Sequence, residues 1–234
     1  MGNYKLYSFD KIDSTQNFAH ELVATGRATN RTIVLADAQS AGRGRYRRTW
    51  VSHHGNLYAS FIFSSSRRDP RLAYATAVAV ADTLISFGIR PEIKWPNDIL
   101  ADGKKISGVL IDYARDFVII GIGINIKANP TIKDYPTAKT DDFAPGLSRD
   151  AVLTVLKDKM DAWMSHDFAV VRTRWMELAA HLNTTIVHRG APATLCGIND
   201  DGALVLRRGT EYLIVFGDEI SAVRMAYPNQ TASA

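Results

Sequence analysis

Residues 41–50, with the sequence AGRGRYRRTW, combine two glycines with four arginines. Glycine lets a backbone approach a ligand closely and adopt positive φ, and the planar guanidinium group pairs well with phosphate and carboxylate oxygens. A triphosphate or an adenylate is therefore a natural ligand for this segment, which we call the arginine loop. A solvated basic loop or an RNA-contacting arm would have a similar composition, so the loop alone does not choose between these functions.

A second group of polar residues lies in residues 94–112, KWPNDILADGKKISGVLID. Pro96 stiffens the chain after a short strand, so that Asn97 and Asp98 should emerge in fixed directions. Their oxygens could hold a magnesium ion or its waters beside phosphates, although such dipeptides also commonly form hydrogen-bonded turns. The ammonium group of Lys105 could neutralise charge that builds up on an α-phosphate.

The sequence GIGIN, residues 121–125, ends another predicted strand. It is not a dinucleotide-binding fingerprint, because the third glycine and the strand-to-helix context are missing. Glycines at alternate strand positions clear one face of a sheet for a flat ligand or a neighbouring backbone, and Asn125 could bond such a ligand. A β-bulge is the alternative interpretation.

The sequence contains no nucleophilic triad and no zinc-binding pattern: Cys196 is the only cysteine, and the six histidines have no zincin spacing. Covalent catalysis is therefore not expected, and positioning and charge stabilisation remain. The single cysteine, expected to be a small buried thiol, also suits a reducing cytoplasm. No secretory signal or membrane-spanning run is evident, and a net charge of +4 selects no class of partner.

The 234 residues suffice for one substantial domain and a small one. Helices are predicted after a Ser14 or Thr15 cap, over residues 72–87, after a Ser148 cap, and over about residues 168–180. The predicted strands are 33–36, 57–63, 93–95, 106–113 and 117–124, the last two forming an antiparallel hairpin. From residue 184 onward only short strands and turns follow, which is typical of a small β barrel.

This pattern predicts an α+β fold, in which helices pack on a mixed or antiparallel sheet and a β domain follows. The predicted domains are residues 1–182 and 183–234. Residues 129–145 are expected to form a long irregular loop.

Four segments, in this order, closely resemble the biotin–protein ligase family: DSTQNFA (13–19), DAQSAGRGRYRRTWVSHHGNLYAS (37–60), KWPNDIL…GKKISGVLID, and GIGIN. The C-terminal segment ending in GDEISAV resembles the small SH3-like barrel of that family. The resemblance covers nearly the whole chain. It implies that the biotin carboxylate attacks the α-phosphate of Mg-ATP to form biotinyl-5′-AMP, after which a carrier lysine takes the biotin and releases AMP.

The resemblance also implies a role for individual residues. The implied catalytic residues are Lys105, Arg43 and Arg45. The implied biotin-binding residues are Ser14, Thr15, Gln16, Gln39, Gly42, Arg43, Arg45, Lys105 and Gly108. The implied ATP- or adenylate-binding residues are Arg43, Arg45, Arg48, Trp50, Asn97, Lys105 and Asn125. Asn97 and Asp98 would assist Mg²⁺ through the phosphates, and Gly121 would line the cleft.

The implied partner is a biotin carboxyl carrier protein or domain of a biotin-dependent carboxylase, and the protein is expected to be a monomer or a homodimer. Too few residues precede DSTQ for the DNA-binding winged helix of bifunctional members, so no DNA binding is expected, nor is membrane association. Two positions depart from the family pattern: Arg47 stands where a glycine is usual, and Gln16 where many members have asparagine.

Three other functions are compatible with parts of the pattern. A lipoate or octanoate attachment enzyme would share the fold class, but we would expect a different loop. A nucleic-acid-binding module could use the arginine loop, although the β segment has few aromatic and basic residues for it. An inactive regulator would not need both Lys105 and Arg45.

Overall fold

A computed structural model describes residues 3–132, 135–216 and 223–224 of the chain, and its centre is a seven-stranded sheet with the order β1-β2-β3-β7-β6-β5-β4. The strands β1 and β2 run parallel, and every other neighbouring pair is antiparallel. The sheet is therefore mixed. The strands are β1 Lys5–Ile12, β2 Thr32–Gln39, β3 Leu57–Ser64, β4 Pro91–Lys94, β5 Asp98–Ala101, β6 Lys104–Ala114 and β7 Phe117–Ile124.

Helices cover the two faces of this sheet unequally. Successive strand residues point to opposite faces, so Ile62 and Ile119 pack against α1 (Thr15–Ala24), whereas Phe61 and Ile120 belong to the core on the other side. That second core includes α2 (Leu72–Ile85) and α3 (Arg149–Ser165). Because α1 is only ten residues long, part of its face of the sheet is left for other elements to cover.

The second sheet is antiparallel and has the order β11-β10-β9-β8-β12. It packs on α2 and on α4 (Phe168–Leu178) through a common apolar cluster that includes Tyr74, Trp175, Leu195 and Leu206. Its strands are β8 Thr185–His188, β9 Ala191–Ile198, β10 Leu204–Arg208, β11 Glu211–Val215 and β12 Val223–Arg224. Most of the GDEISAV segment, residues 217–222, lies outside the described residues.

The predicted α+β class is confirmed, with a separate antiparallel sheet that fits the small SH3-like domain expected after the mixed one. The boundary between residues 182 and 183 stays a prediction. Ser148 caps α3 as expected, its hydroxyl accepting from the Ala151 amide. Within the described residues, no helix has the length and hydrophobicity needed to span a membrane. Cys196 is only partly buried, whereas the sequence predicted a small buried thiol.

Two strands were missed by the sequence analysis. The side chains of β1 are mostly exposed, because β1 forms the edge of the sheet, and it therefore has no apolar run. The strand β5 follows the turn at residues 95–97 and pairs back on β4. Pro96 does end a strand, but the chain reverses there and forms a hairpin. The loop at residues 129–145 also contains a short 3-10 helix, Thr140–Asp142.

The hydroxyl of Tyr74 ties α2 to both sheets. It accepts a hydrogen bond from Trp95 Nε1 (2.9 Å) and donates one to the Gly202 carbonyl (2.7 Å). Burial raises the pKa of Tyr74 to about 12, so the phenol remains a donor throughout the physiological range.

Tyr74→Phe is expected to lower the free energy of unfolding by about 1–3 kcal/mol, because the substitution leaves the buried indole N–H of Trp95 unpaired. Urea unfolding measures this loss, and Tyr212→Phe on the exposed surface is the control. Equal stability of the two variants would contradict the prediction.

Candidate functional site

A cleft of about 840 Å³ opens on the face of the main sheet that α1 only partly covers. Its floor consists of two rows of residues on β3, β7 and β6, about 7 Å apart along the strands. The pairing aligns Tyr58, Gly123 and Gly108 in one row, and Ser60, Gly121 and Leu110 in the next. The strand β7 pairs with β3 without a break, so the glycines flatten the floor and do not form a bulge.

The first turn of α1 forms the polar end of the cleft. The Gln39 side-chain oxygen accepts from the Thr15 amide (2.8 Å) and from the Thr15 hydroxyl (3.2 Å), while Gln39 Nε2 donates to Ser52 (3.0 Å). Ser60 Oγ lies 2.9 Å from both Thr15 Oγ1 and Gln16 Oε1. This network holds the start of α1 rigidly on the floor.

Ser14 occupies the N-cap position of α1, but its hydroxyl forms no capping bond. The prediction placed the N-cap correctly, but it was wrong that the side chain of Ser14 or Thr15 would form the capping hydrogen bond. The side chain of Gln39, from β2, binds the Thr15 amide instead. Ser14 Oγ is buried and has no hydrogen-bond partner among the described residues. Since Ser14 lines the cleft, its hydroxyl is available to a polar ligand.

The arginine loop lies at the border of the cleft, and hydrogen bonds hold the side chains of two of its arginines, Arg43 and Arg45, in place. It closes through a bridge between Arg43 and Thr49 and a bond from the Gly44 amide to the Arg48 carbonyl (2.8 Å). Arg43 donates to Asn17 Oδ1 (3.1 Å), and Arg45 donates to Asn97 Oδ1 and to the Tyr46 hydroxyl (both 3.2 Å). The loop thus contacts both α1 and the β4–β5 turn.

Lys105 lies at the start of β6 with its side chain mostly buried. Its ammonium nitrogen is 2.6 Å from Asp98 Oδ1 and lies 5.3 Å and 5.4 Å from the ring centres of Trp50 and Tyr135. The aromatic rings and the sheet shield this charge from water, which strengthens its attraction to an anion. A phosphate in the cleft would compete with Asp98 for Lys105.

The Trp50 side chain lies directly on the glycine floor. A Cβ atom at Gly123 would be 2.5 Å from the Trp50 ring, and one at Gly108 would be 2.8 Å away. A Cβ at Gly121 would be 2.7 Å from Gln16 Oε1. The cleared face predicted from the sequence is real, but Trp50 and Gln16 from the protein itself occupy part of it. Trp50 Nε1 has no hydrogen-bond partner within the described chain.

Gly123→Ala is expected to displace the Trp50 ring and to lower the free energy of unfolding by about 1–3 kcal/mol, as overpacking usually does. A red shift of tryptophan emission and urea unfolding measure the two effects. The same substitution made in a Trp50→Ala background is the control. It should cost little there, since no ring has to move; an equal loss in both backgrounds would show that the overlap is not with Trp50.

The structure brings twelve of the residues implied by the resemblance together around the cleft. They are Ser14, Thr15, Gln16, Gln39, Arg43, Arg45, Arg48, Trp50, Asn97, Asp98, Lys105 and Gly108. Gly121 lies in the floor as expected. Their roles toward ligands remain predictions.

Two implied residues lie outside the wall of the cleft. The Gly42 carbonyl accepts a bond from the Trp50 amide, and a Cβ at Gly42 would be 2.4 Å from the Trp50 carbonyl oxygen. The fold of the loop therefore requires a glycine here, and the contact of Gly42 with biotin stays a prediction. Asn125 is buried and donates to the Ala138 carbonyl (3.0 Å). It anchors Ala138 within the loop at residues 129–145, and its contact with the nucleotide stays a prediction.

Ser60, Tyr46 and Tyr135 are among the residues that line the cleft and were not predicted from the sequence. Ser60 could have been found, since a small polar residue at a buried position of an apolar strand is unusual. Tyr46 was read only as part of a basic loop. The sequence around Tyr135 has no pattern that would place this residue beside Lys105.

The residues expected to assist magnesium do not fit a metal site held by the protein. Asp98 is paired with Lys105, and the Asn97 oxygen accepts from Arg45. Around them, the described residues provide no group of three or more His, Cys, Asp or Glu side chains that could hold a metal ion. We therefore treat magnesium as part of a nucleotide substrate and assign no step to it.

Tyr58 borders the cleft as a neutral hydroxyl. Burial raises its pKa to about 12, and its hydroxyl donates to the His53 carbonyl (2.7 Å) while accepting from Asn56 (3.1 Å). Tyr58 is thus a fixed wall and not a base. The charged side chains that line the cleft are Arg43, Arg45, Arg48, Lys94, Lys105 and Asp98.

Comparison with known proteins agrees with this architecture. Residues 8–128 match the model of the biotin/lipoate A/B protein ligase family. The chain is 35% identical to the bifunctional ligase/repressor BirA of Bacillus subtilis, over 88% of this chain and 70% of that protein. It is 30% identical to the biotin–[acetyl-CoA-carboxylase] ligase of Paracoccus denitrificans, over 74% and 83% of the two chains. The fold is similar to that of the biotin protein ligase from Aquifex aeolicus in complex with biotin and ATP, with a TM-score of 0.79, 24% identity, and coverage of 92% and 97%.

Proposed function

The chain belongs to the biotin/lipoate A/B protein ligase family, among its biotin–protein ligases, and we propose that it activates biotin with ATP and transfers it to a lysine of a carrier protein. The carrier we propose is the biotin carboxyl carrier protein or domain of a biotin-dependent carboxylase. The relative from Paracoccus denitrificans is named for such a target.

One observation supports this function best: the cleft has a buried, uncharged polar end and a cationic end. Ser14 and the Thr15–Gln16–Ser60 network form the first, and Arg45 and Lys105 belong to the second. Biotin has a neutral ureido ring at one end and a carboxylate at the other, so its polarity matches that of the cleft. The volume of about 840 Å³ is within the usual range for a small-molecule site.

In the first reaction, a carboxylate oxygen of biotin attacks the α-phosphorus of ATP and pyrophosphate leaves. Negative charge increases on the phosphoryl oxygens in the transition state, so cations that are already in place lower the barrier. We assign this role to Lys105, with Arg43 and Arg45 binding carboxylate and phosphate oxygens. Lys105 would exchange its pairing with Asp98 for the phosphate.

In the second reaction, the neutral ε-amine of the carrier lysine attacks the acyl carbon of biotinyl-AMP. The bond to the phosphate oxygen breaks, AMP leaves, and the amine loses a proton as the amide forms. The arginine loop would shield the mixed anhydride from water until the carrier arrives.

The binding roles follow from which groups remain available. Ser14 Oγ would bond the ureido ring, while Thr15 and Gln39, which already bond each other, would act mainly by holding α1 in place. Trp50 and Arg48 would contact the adenylate, and Asn97 would keep Arg45 in position.

Mass spectrometry of a biotin carrier domain tests the proposal. After incubation with this protein, biotin and Mg-ATP, the carrier should gain the mass of one biotinyl group, and a carrier whose target lysine is replaced by arginine should gain none. Lipoate and octanoate, with a lipoyl domain as acceptor, test the rival activity. Labelling of the lipoyl domain but not of the biotin carrier would contradict the proposal.

A further inference from the structure

Asp112 lies beside the cleft and is not among the residues that any motif assigned to the reaction. It is on β6 in the row next to Leu110, paired with Ile119 of β7, and therefore faces α1. Its Oδ2 atom accepts a hydrogen bond from Gln16 Nε2 (3.1 Å) and lies 2.9 Å from His20 Nε2. The same oxygen is 3.9 Å from Arg43 Nη1.

The bond to Gln16 decides how its amide is oriented. Gln16 Nε2 also donates to the Ile119 carbonyl (3.3 Å), so the nitrogen points toward the Asp112–Ile119 row of the sheet, and Oε1 points toward Ser60 and Gly121. Without an acceptor at Asp112, the amide would lose the stronger of the two partners that hold its nitrogen, since a charged acceptor forms the stronger bond.

The contact with Arg43 concerns the other end of the cleft. Arg43 is the first arginine of the arginine loop, and the only groups on α1 and β6 that the structure shows holding it are the Asn17 oxygen and the Asp112 carboxylate. His20 is the other ionisable group that contacts this carboxylate. One carboxylate oxygen thus contacts both a residue of the polar end and the base of the loop that covers the cationic end.

We propose that Asp112 is a positioning residue that couples the biotin end of the cleft to the arginine loop. It fixes the Gln16 amide for the neutral ring of biotin and, through Arg43, holds the arginine loop beside α1. This inference rests on the proposed function for the identity of the ligand, but the contact between Asp112 and the loop does not depend on it.

The test compares Asp112→Ala, Asp112→Asn and Asp112→Glu with the wild type, and Asp116→Asn, an exposed carboxylate of the β6–β7 turn, serves as the control. Calorimetry with biotin alone measures the affinity of each variant for biotin, which tests the effect of Asp112 on Gln16. Limited trypsin digestion without ligand, followed by mass spectrometry of cleavage at residues 43–48, measures the mobility of the arginine loop, because trypsin cleaves after arginine and needs a mobile segment.

Asp112→Ala should weaken biotin binding by about tenfold. It should also raise the rate of tryptic cleavage in the arginine loop several-fold relative to the wild type, while the rate at other cleavage sites changes less. Its KM for biotin should rise while kcat changes less. Asp112→Asn, which keeps the shape but loses the charge for Arg43, should affect loop cleavage more than biotin affinity, and Asp112→Glu should restore both in part. Should Asp112→Ala fail to fold, Asp112→Asn still carries the test.

Unchanged biotin affinity and unchanged loop cleavage in folded Asp112→Ala would overturn the inference, as would a general loss of stability without a preferential effect on the loop. Failure of the proposed function looks different: the wild type itself would not bind biotin, while the digestion arm would still report on Asp112 and the loop.

Discussion

Lys105→Ala is expected to reduce the formation of biotinyl-AMP by about 10²–10³-fold, the usual effect of losing one preorganised group that stabilises transition-state charge. The ammonium is mostly buried and lies near the rings of Trp50 and Tyr135. Water cannot replace it well, because a mobile dipole must be reoriented during the reaction whereas Lys105 is already in place. The effect should fall on kcat more than on the KM for biotin.

Pyrophosphate release in the absence of carrier measures this step, and circular dichroism checks that the variant is folded. The fold should survive, since Asp98, the carboxylate left behind, is about one-quarter exposed and can be hydrated. Lys104→Ala is a matched control: Lys104 precedes Lys105 on the same strand, but its ammonium is 3.7 Å from Asp102 in the exposed β-turn. Normal pyrophosphate release by folded Lys105→Ala would contradict the role assigned to Lys105.

Arg45→Gly is expected to release biotinyl-AMP into solution, so that exposed lysines of unrelated proteins become labelled. Arg45 links the arginine loop to the β4–β5 turn through Asn97 and also bonds Tyr46. Its loss removes both a cation for the adenylate and a tie that keeps the loop closed. A loss of affinity for the adenylate of about 10–100-fold would correspond to one or two charge-assisted hydrogen bonds.

Biotin incorporation into an added bystander protein measures the leak, with the carrier present as a competing acceptor. Arg47→Gly is the matched control because Arg47 lies in the same loop, is exposed and has φ of 59°, a conformation that glycine adopts easily. It should label only the carrier. Bystander labelling by Arg47→Gly but not by Arg45→Gly would mean that loop stiffness, and not the guanidinium of Arg45, retains the intermediate.

The sequence predicted most of the sheet and the floor of the cleft because both depend on short-range patterns, whereas Ser14, Thr15, Gln16 and Gln39 were implied only by the resemblance to biotin–protein ligases. The glycines of β7 and the small residue Gly108 mark the floor, and the strands that carry them are apolar enough to be found directly. The strand β1 escaped because an edge strand buries little, and β5 because a proline is compatible with either a strand end or a hairpin turn.

The exact partners of polar groups could not be predicted, because they depend on how strands and loops meet in three dimensions. Gln39 binds the first amide of α1 from another strand, Asp98 pairs with Lys105 across a hairpin, and Asn125 donates to the Ala138 carbonyl. Residue types and local spacing indicate which groups are polar and near a strand end. Only the three-dimensional structure shows which of them have a hydrogen-bond partner and which, like Ser14 Oγ, have none among the residues that the structure describes.

The most direct test of the account is whether the purified protein makes an acyl-adenylate without any carrier. Incubation with biotin and Mg-ATP, followed by liquid chromatography and mass spectrometry after denaturation, should yield biotinyl-5′-AMP in an amount that approaches one per active site, together with pyrophosphate. If the folded protein binds both substrates and no biotinyl-AMP is formed, the cationic cleft does not join them and the proposed activity is wrong.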